Sequence, residues 1–325
     1  MSEAVQFHNQ RSDTISTISE AAQSQQSTFL SMKIIILGPA YPLRGGLASF
    51  SERMAYQFQA EGHEVEIVTF SLQYPNFLFP GKTQFSSDPA PKDLKIHVWI
   101  NSVNPFNWLS VGNRIQKMKP DLVICKYWLP FMGPSLGTIL RQVKKNKHTH
   151  IMALAHNIIP HEKRIGDVPF TKYFVRPVDS FLTLSKSVAD ETKDFSDSPS
   201  AFTPHPIYDS YGEHVAKNAA RNHLKLDPSG KYLLFFGFIR KYKGLDLLLE
   251  AMADERIKTM GIKAIVAGEY YDNKDNYDTQ IEQLGIQDSV IVRDDFIPND
   301  EVRYYFGASD VVVQPYKTAT QSGIS

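Results

Sequence analysis

The chain has 325 residues, of which 42% are hydrophobic and 22% charged, a composition typical of a soluble globular protein with room for about two domains. Its 35 Lys and Arg residues are balanced by 35 Asp and Glu residues. This balance argues against nucleic acid as a partner and against bulk binding to an anionic membrane, because both require an excess of positive charge.

The single cysteine and the lack of long apolar stretches indicate the compartment. Cys125 lies in the apolar stretch DLVICKYW, where we expect a small core residue, and one cysteine cannot form an internal disulfide. No stretch reaches the roughly 18 apolar residues of a membrane span. We therefore expect a cytoplasmic protein, with peripheral contact at the inner face of the membrane left open.

The chain opens with a polar segment and continues as a regular alternation of strands and helices. Residues 1–31 are rich in Ser, Gln and Thr and lack the basic and apolar regions of a secretory signal, which predicts a disordered leader. Residues 32–205 contain the strand patterns KIIILG, EVEIVTF, IHVW, DLVICKYW, HIMALAH and SFLTLS, with helical patterns between them. This alternation predicts one parallel α/β domain.

A second domain is predicted after a break in the pattern. The stretch DSPSAFTPHPIYDSYG is rich in Pro and Gly and indicates an interdomain linker over residues 206–229. Alternation resumes at KYLLFFG and ends soon after SDVVVQPY, so residues 230–325 are predicted to form a second, incomplete parallel domain. Two such domains place two rows of strand carboxyl ends across a cleft, which is where open parallel sheets bind ligands.

The loop after the first strand is a candidate binding element. In GPAYPLRGGLASF, Gly45 and Gly46 open the first helix, where glycines let a bound group approach the backbone closely and their N–H groups could point at a phosphate or sugar. The spacing differs from the dinucleotide-binding fingerprint. A simple glycine turn with no ligand explains the stretch about equally well.

Three cations follow the first strand of the second domain. In LLFFGFIRKYKGLDLLLEA, Arg240, Lys241 and Lys243 lie between a buried-strand pattern and a helix whose apolar face begins at Leu245. Cations beside a helix N-terminus suit an anion. The alternative is an ordinary solvated loop, and in either case we expect Lys241 to face solvent.

His156 follows the buried strand HIMALA, at the predicted row of strand ends. It is either a satisfied structural histidine or a group that faces the cleft. His161 and Glu162 lack the second histidine of a zinc helix, and no two aspartates are separated by one residue, so no metal site is predicted. Cations must then neutralise any diphosphate leaving group.

These segments together resemble a known family. FFGFIRKYKGLDLLLEA, AIVAGE, DDFIPNDEVRYYFGASDVVVQPY and TATQSGIS, in that order, resemble the C-terminal domain of glycosyltransferase family four, and MKIIILGPAYPLRGGLASF resembles the start of its N-terminal domain. The resemblance covers nearly everything from residue 32 to 325. It implies the α/β GT-B fold: two Rossmann-like, doubly wound parallel-sheet domains that face a cleft, with the acceptor on the first and the nucleotide-sugar donor on the second.

The resemblance also implies roles for individual residues. Lys243 and Arg240, with Gly45 and Gly46, would bind the donor diphosphate, and His156 would be the active-site histidine. Further contacts to the donor sugar or nucleotide would come from Gly268, Glu269, Thr320, Gln321, Ser322 and Gly323.

Two positions depart from the family pattern. Phe238 stands where the family has an arginine, so Arg240 would act from a shifted position. Thr320 stands where the family has a glutamate that holds the donor, while Gly323 matches the glycine of the same loop.

The function implied is transfer of a sugar, with retention, from a nucleotide-diphosphate sugar to a hydroxyl acceptor in polysaccharide or glycoconjugate assembly. No cofactor or metal is expected, and a lipid-linked glycan is one acceptor class that the family suggests. Two alternatives stay open: a nucleotide-sugar 2-epimerase on the same fold, and a non-catalytic nucleotide-sugar-binding fragment.

Overall fold

The computed structural model describes residues 31–75, 79, 81–158, 165–206 and 211–317. Nearly all of the predicted leader, the His161–Glu162 pair and the predicted donor residues Thr320, Gln321, Ser322 and Gly323 lie outside these ranges.

The N-terminal domain alternates strands and helices, as the sequence predicts. Its elements are β1 (Lys33–Leu37), α1 (Gly46–Ala60), β2 (Glu64–Leu72), β3 (Lys95–Asn101), α2 (Pro105–Met118), β4 (Leu122–Tyr127), α3 (Gly133–Lys144), β5 (His150–Ala155), α4 (Asp167–Val175), β6 (Ser180–Thr183), α5 (Lys186–Lys193) and β7 (Ser200–Phe202). The strands form one parallel sheet in the order β3-β2-β1-β4-β5-β6-β7.

The central strands of this sheet are buried on both faces, which explains their continuous apolar sequences. Along β1, Ile35 and Leu37 pack into one core cluster while Ile34 and Ile36 pack into another on the opposite face. Cys125 is fully buried in β4, as predicted.

The C-terminal domain has a smaller parallel sheet. Its elements are α6 (Lys217–His223), β8 (Lys231–Phe236), α7 (Leu245–Met252), α8 (Glu255–Thr259), β9 (Ile262–Ala267), α9 (Lys274–Gln283), β10 (Val290–Arg293), α10 (Asn299–Ala308) and β11 (Val311–Val312). The strand order is β10-β9-β8-β11. The apolar face predicted for α7 is buried: Leu245, Leu248, Leu249 and Met252 all pack into the core of this domain.

The segment predicted as a linker is partly helical. Helix α6 packs on α10, where a Cβ on Gly307 would lie 2.7 Å from the Val215 carbonyl and 3.2 Å from Ala220. The buried guanidinium of Arg221 donates to the carbonyl of Ala308 and pairs with Asp310. Residues 217–223 therefore belong to the packed C-terminal domain.

Candidate active site

The glycine loop of the N-terminal domain faces the C-terminal domain. Gly45 adopts a left-handed backbone (φ 98°) and precedes α1, which begins at Gly46 without a side-chain cap. A Cβ on Gly45 would lie 3.7 Å from the ring of Phe238, in the loop after β8. The two loops for which donor contacts were predicted thus meet across the cleft.

The cationic loop after β8 is held in a fixed shape. Residues Lys241–Lys243 form a 3₁₀ turn that ends at Gly244, whose φ is 73°. A Cβ on Gly244 would lie 2.0 Å from the Pro315 carbonyl, so only glycine allows this approach. The backbone N–H of Lys317 donates to the carbonyl of Tyr242 at 2.8 Å. The loop and the segment after β11 are therefore packed together.

The three cations of this loop have different surroundings. Lys241 is exposed, as predicted, and Arg240 is exposed with its guanidinium 4.9 Å from the ring centre of Tyr271. Lys243 is half-buried, with Nζ 5.8 Å from the ring centre of Tyr316. Burial, followed by the charge of Arg240, lowers the pKa of Lys243 to about 8. Lys243 is thus a cation whose charge is poorly compensated by its surroundings.

Gly268 and Glu269 follow β9 and lie beside the same loop. Gly268 (φ 144°) allows β9 to approach β8, because a Cβ there would lie 2.2 Å from the Gly237 carbonyl. The carboxylate of Glu269, only 2% exposed, pairs with Arg44 of the N-terminal domain and accepts a hydrogen bond from the backbone N–H of Lys82. Glu269 is therefore already engaged by the opposite domain.

Arg44 is a cleft residue that sequence reasoning missed. Its side chain is 8% exposed and its guanidinium lies 4.4 Å from the ring centre of Phe296. The only sequence signal is its place directly before Gly45 and Gly46.

His156 lies behind the glycine loop. It is 5% exposed, its backbone N–H donates to Tyr127, and its ring meets Phe50 edge-on at 6.0 Å. Burial, with the charges of Lys126 and His205, holds the pKa of His156 well below its usual range, so the imidazole is neutral at pH 7. Phe50 belongs to the start of α1, and this contact links His156 to the glycine loop.

Lys126 is a second residue that the sequence analysis passed over, although a lysine inside a buried strand is an unusual signal. It is fully buried, Nζ donates to the carbonyl of Leu47 at 2.7 Å, and it lies 4.5 Å from the ring centre of Phe50. Burial holds its pKa well below the usual range. Through its hydrogen bond to Leu47, Lys126 connects β4 to the first turn of α1.

Aromatic rings continue across the cleft. Tyr271 stacks on Phe238 with ring centres 4.3 Å apart and meets Phe79 of the N-terminal domain edge-on at 5.6 Å. The rings of Phe79 and Tyr74 are stacked with their centres 6.2 Å apart. The Tyr74 hydroxyl accepts a 2.6 Å hydrogen bond from the indole N–H of Trp128. These rings give the cleft a wall suited to planar or apolar ligand surfaces.

Within the described ranges, no three His, Cys, Asp or Glu side chains are grouped so as to hold a metal ion. In the same ranges, no helix is long and apolar enough to cross a bilayer.

Comparison with known proteins shows similarities in the C-terminal part of the chain and over most of its length. Residues 216–323 match the family described as Glycosyl transferases group 1. The chain is 23% identical to an uncharacterized glycosyltransferase of Methanocaldococcus jannaschii over an alignment of 306 residues. This alignment covers 87% of this chain and 74% of that protein.

Solved structures share the two-domain architecture. Sucrose-phosphate synthase of Thermosynechococcus elongatus superposes with a TM-score of 0.64 at 14% identity, over 89% of this chain and 77% of that one. HepE of Anabaena in complex with UDP and glucose superposes with a TM-score of 0.62 at 12% identity, over 90% of this chain and 76% of that one. The predicted GT-B fold is confirmed, and residues 216–323 are similar to the glycosyl transferases group 1 family.

Proposed function

We propose that this protein is a retaining, metal-independent glycosyltransferase that moves a sugar from a nucleotide-diphosphate sugar to a hydroxyl acceptor, in polysaccharide or glycoconjugate assembly. The observation that carries the proposal is Lys243, a half-buried cation beside Arg240 within the group 1 domain. Its lowered pKa means that the surrounding residues leave its charge poorly compensated, and an anion in the cleft would compensate it. A diphosphate is the anion that a glycosyltransferase must bind.

The same cations would assist the reaction. As the bond to the diphosphate breaks, negative charge grows on the leaving phosphate oxygens while an oxocarbenium-like centre forms. Cations already fixed in place stabilise that developing charge more than they stabilise the ground state. Lys243 and Arg240, with the N-terminal end of α7, would provide this stabilisation from the donor side.

The N-terminal domain would provide the remaining contacts. Gly45 and Gly46 would bring backbone N–H groups to the phosphates, and the neutral imidazole of His156 would contact the transferring sugar. We propose a cytoplasmic enzyme that reaches its acceptor, a lipid-linked glycan or another hydroxyl compound, at the inner face of the membrane. Because HepE was solved with UDP, uridine nucleotides are the first donors to test.

The proposal is tested with two neighbouring lysines. Lys243→Ala should weaken UDP binding, measured by calorimetry. It should also lower turnover with a UDP-sugar by about 10²-fold, as removal of an oxyanion donor does. Lys241→Ala, in the same turn but exposed, is the matched control and should change neither. Each measurement is repeated with EDTA, which should have no effect. Equal, small effects of the two substitutions would mean that the loop is ordinary surface.

A second arm separates transfer from epimerisation. The wild-type protein is incubated with the nucleotide sugar alone and the sugar is analysed by NMR. We expect the donor to stay unchanged until an acceptor is added. Accumulation of a 2-epimer without acceptor would replace the transferase proposal with the epimerase alternative.

A further inference from the structure

Arg44 combines deep burial with incomplete hydrogen bonding. A guanidinium carries five N–H donors and no acceptor. One Nη of Arg44 pairs with Glu269, yet Nε is buried and has no hydrogen-bond partner among the described residues. A buried donor without a partner lowers stability, so its retention calls for a ligand or another explanation.

The position of Arg44 suggests a ligand. It directly precedes Gly45, which lies against Phe238, and its guanidinium therefore stands where the loops of the two domains meet. Tyr271 marks the centre of this region. Burial raises the pKa of Tyr271 to about 12 and Glu269 adds to the rise, whereas the charges of Arg44 and Arg240 oppose it. Both guanidinium groups therefore act on the same tyrosine, one from each domain.

We propose that Arg44 is a phosphate-binding residue of the donor site, supplied by the N-terminal domain, and that Glu269 occupies it as an internal counter-ion until a phosphate takes its place. The inference rests on the proposed function and adds a residue to it. A phosphate offers the guanidinium fork the same paired oxygens as a carboxylate, with more charge. After Glu269 is exchanged for a diphosphate, the Nη group that Glu269 released and the unpartnered Nε could both donate to the phosphate oxygens.

The alternative is that the Arg44–Glu269 pair only joins the domains. Both readings predict that loss of either residue lowers stability. They differ in ligand affinity, because an internal counter-ion competes with the ligand whereas a structural pair does not. Loss of Arg44 and loss of Glu269 should therefore change phosphate binding in opposite directions if the proposal holds.

The experiment uses the full chain and two probes, UDP and inorganic pyrophosphate, in calorimetry. Pyrophosphate lacks ribose and base, so it reports on the phosphate contact alone. Arg44→Gln should weaken both probes at least tenfold, and Arg44→Lys, which keeps the charge without the fork, should weaken them less. Glu269→Gln should tighten pyrophosphate at least threefold. Arg221→Gln is the matched control. Arg221 is also buried and paired with a carboxylate, but its partner is Asp310, which directly precedes β11 at the amino end of that strand.

Three results would overturn the proposal. The first is Arg44→Gln affinity equal to that of wild type or of Arg221→Gln, and the second is a Glu269→Gln protein that binds pyrophosphate no more tightly than wild type. If Arg44→Gln does not fold, the Glu269→Gln result decides alone. The third is a wild-type protein that binds neither probe, which would overturn the proposed function as well. Binding that Lys243→Ala abolishes and Arg44→Gln leaves intact would remove only the role of Arg44.

Discussion

Lys243 should make donor binding depend on pH near pH 8, where most lysines stay protonated and do not titrate. Its pKa of about 8 in the free protein means that the ammonium loses its proton as pH rises through this value. The diphosphate of UDP is already fully ionised there, so UDP affinity should fall by up to about tenfold per pH unit between pH 8 and 9.5, as proton linkage requires. Calorimetry at pH 7, 8 and 9.5 measures this fall.

Lys243→Arg is the control for this dependence, because arginine keeps its charge throughout the range. Its UDP affinity should stay level from pH 7 to 9.5. A level profile for the wild type would show that Lys243 does not touch the diphosphate.

The lowered pKa of Lys243 also affects stability. It makes the free energy of unfolding rise with pH between about 8 and 10.5, since the unfolded chain then binds more protons than the native protein.

His156 should affect turnover far more than nucleotide affinity. Replacement by Gln keeps a polar side chain of similar size but not the imidazole, and we expect turnover to fall by about 10²-fold, as on loss of one positioned hydrogen-bonding group in the transition state. UDP affinity should change less than threefold. His150→Gln, at the exposed start of the strand that precedes His156, should leave both unchanged. A His156→Gln protein with a lowered melting temperature and normal specific activity would make His156 a structural residue.

At the level of elements, Gly244 should be the least replaceable glycine of the cationic loop. Gly244→Ala places a Cβ against the Pro315 carbonyl and forces alanine into a left-handed backbone. Gly261→Ala is a fair comparison, because Gly261 has a similar φ of 64° but no atom within 4 Å of the added Cβ. Urea unfolding should show a loss of about 1 kcal/mol for Gly261→Ala, from backbone strain alone, and clearly more for Gly244→Ala. Equal losses would mean that the Pro315 contact yields without cost.

The elements that could be predicted are those whose own residues form either a continuous apolar run, typical of a buried strand, or an apolar face at helical spacing. β1, β4, β8 and the buried face of α7 follow directly from their residues. β7 has three exposed residues and exists because it pairs with β6, while α6 (KNAARNH) has little apolar pattern and is held by α10. In both, contacts with distant parts of the chain override weak local preference.

At the scale of the whole molecule, the candidate site joins residues that no local pattern connects. Arg44 and Glu269 are 225 positions apart, and their pairing depends on how the two domains face each other. The sequence predicts that each follows a strand, but not that one would neutralise the other. Lys82 and Asp295 form another ion pair between the same domains, this one exposed and expected to contribute little to stability.

The packing of the cationic loop against the segment after β11 has a mechanical consequence. Gly244 lies against Pro315, Lys243 lies near Tyr316, and the N–H of Lys317 is bonded to Tyr242. A displacement of Lys243 should therefore also displace the chain at Tyr316 and Lys317. The loop after β8 and the segment after β11 should thus move together when an anion binds Lys243.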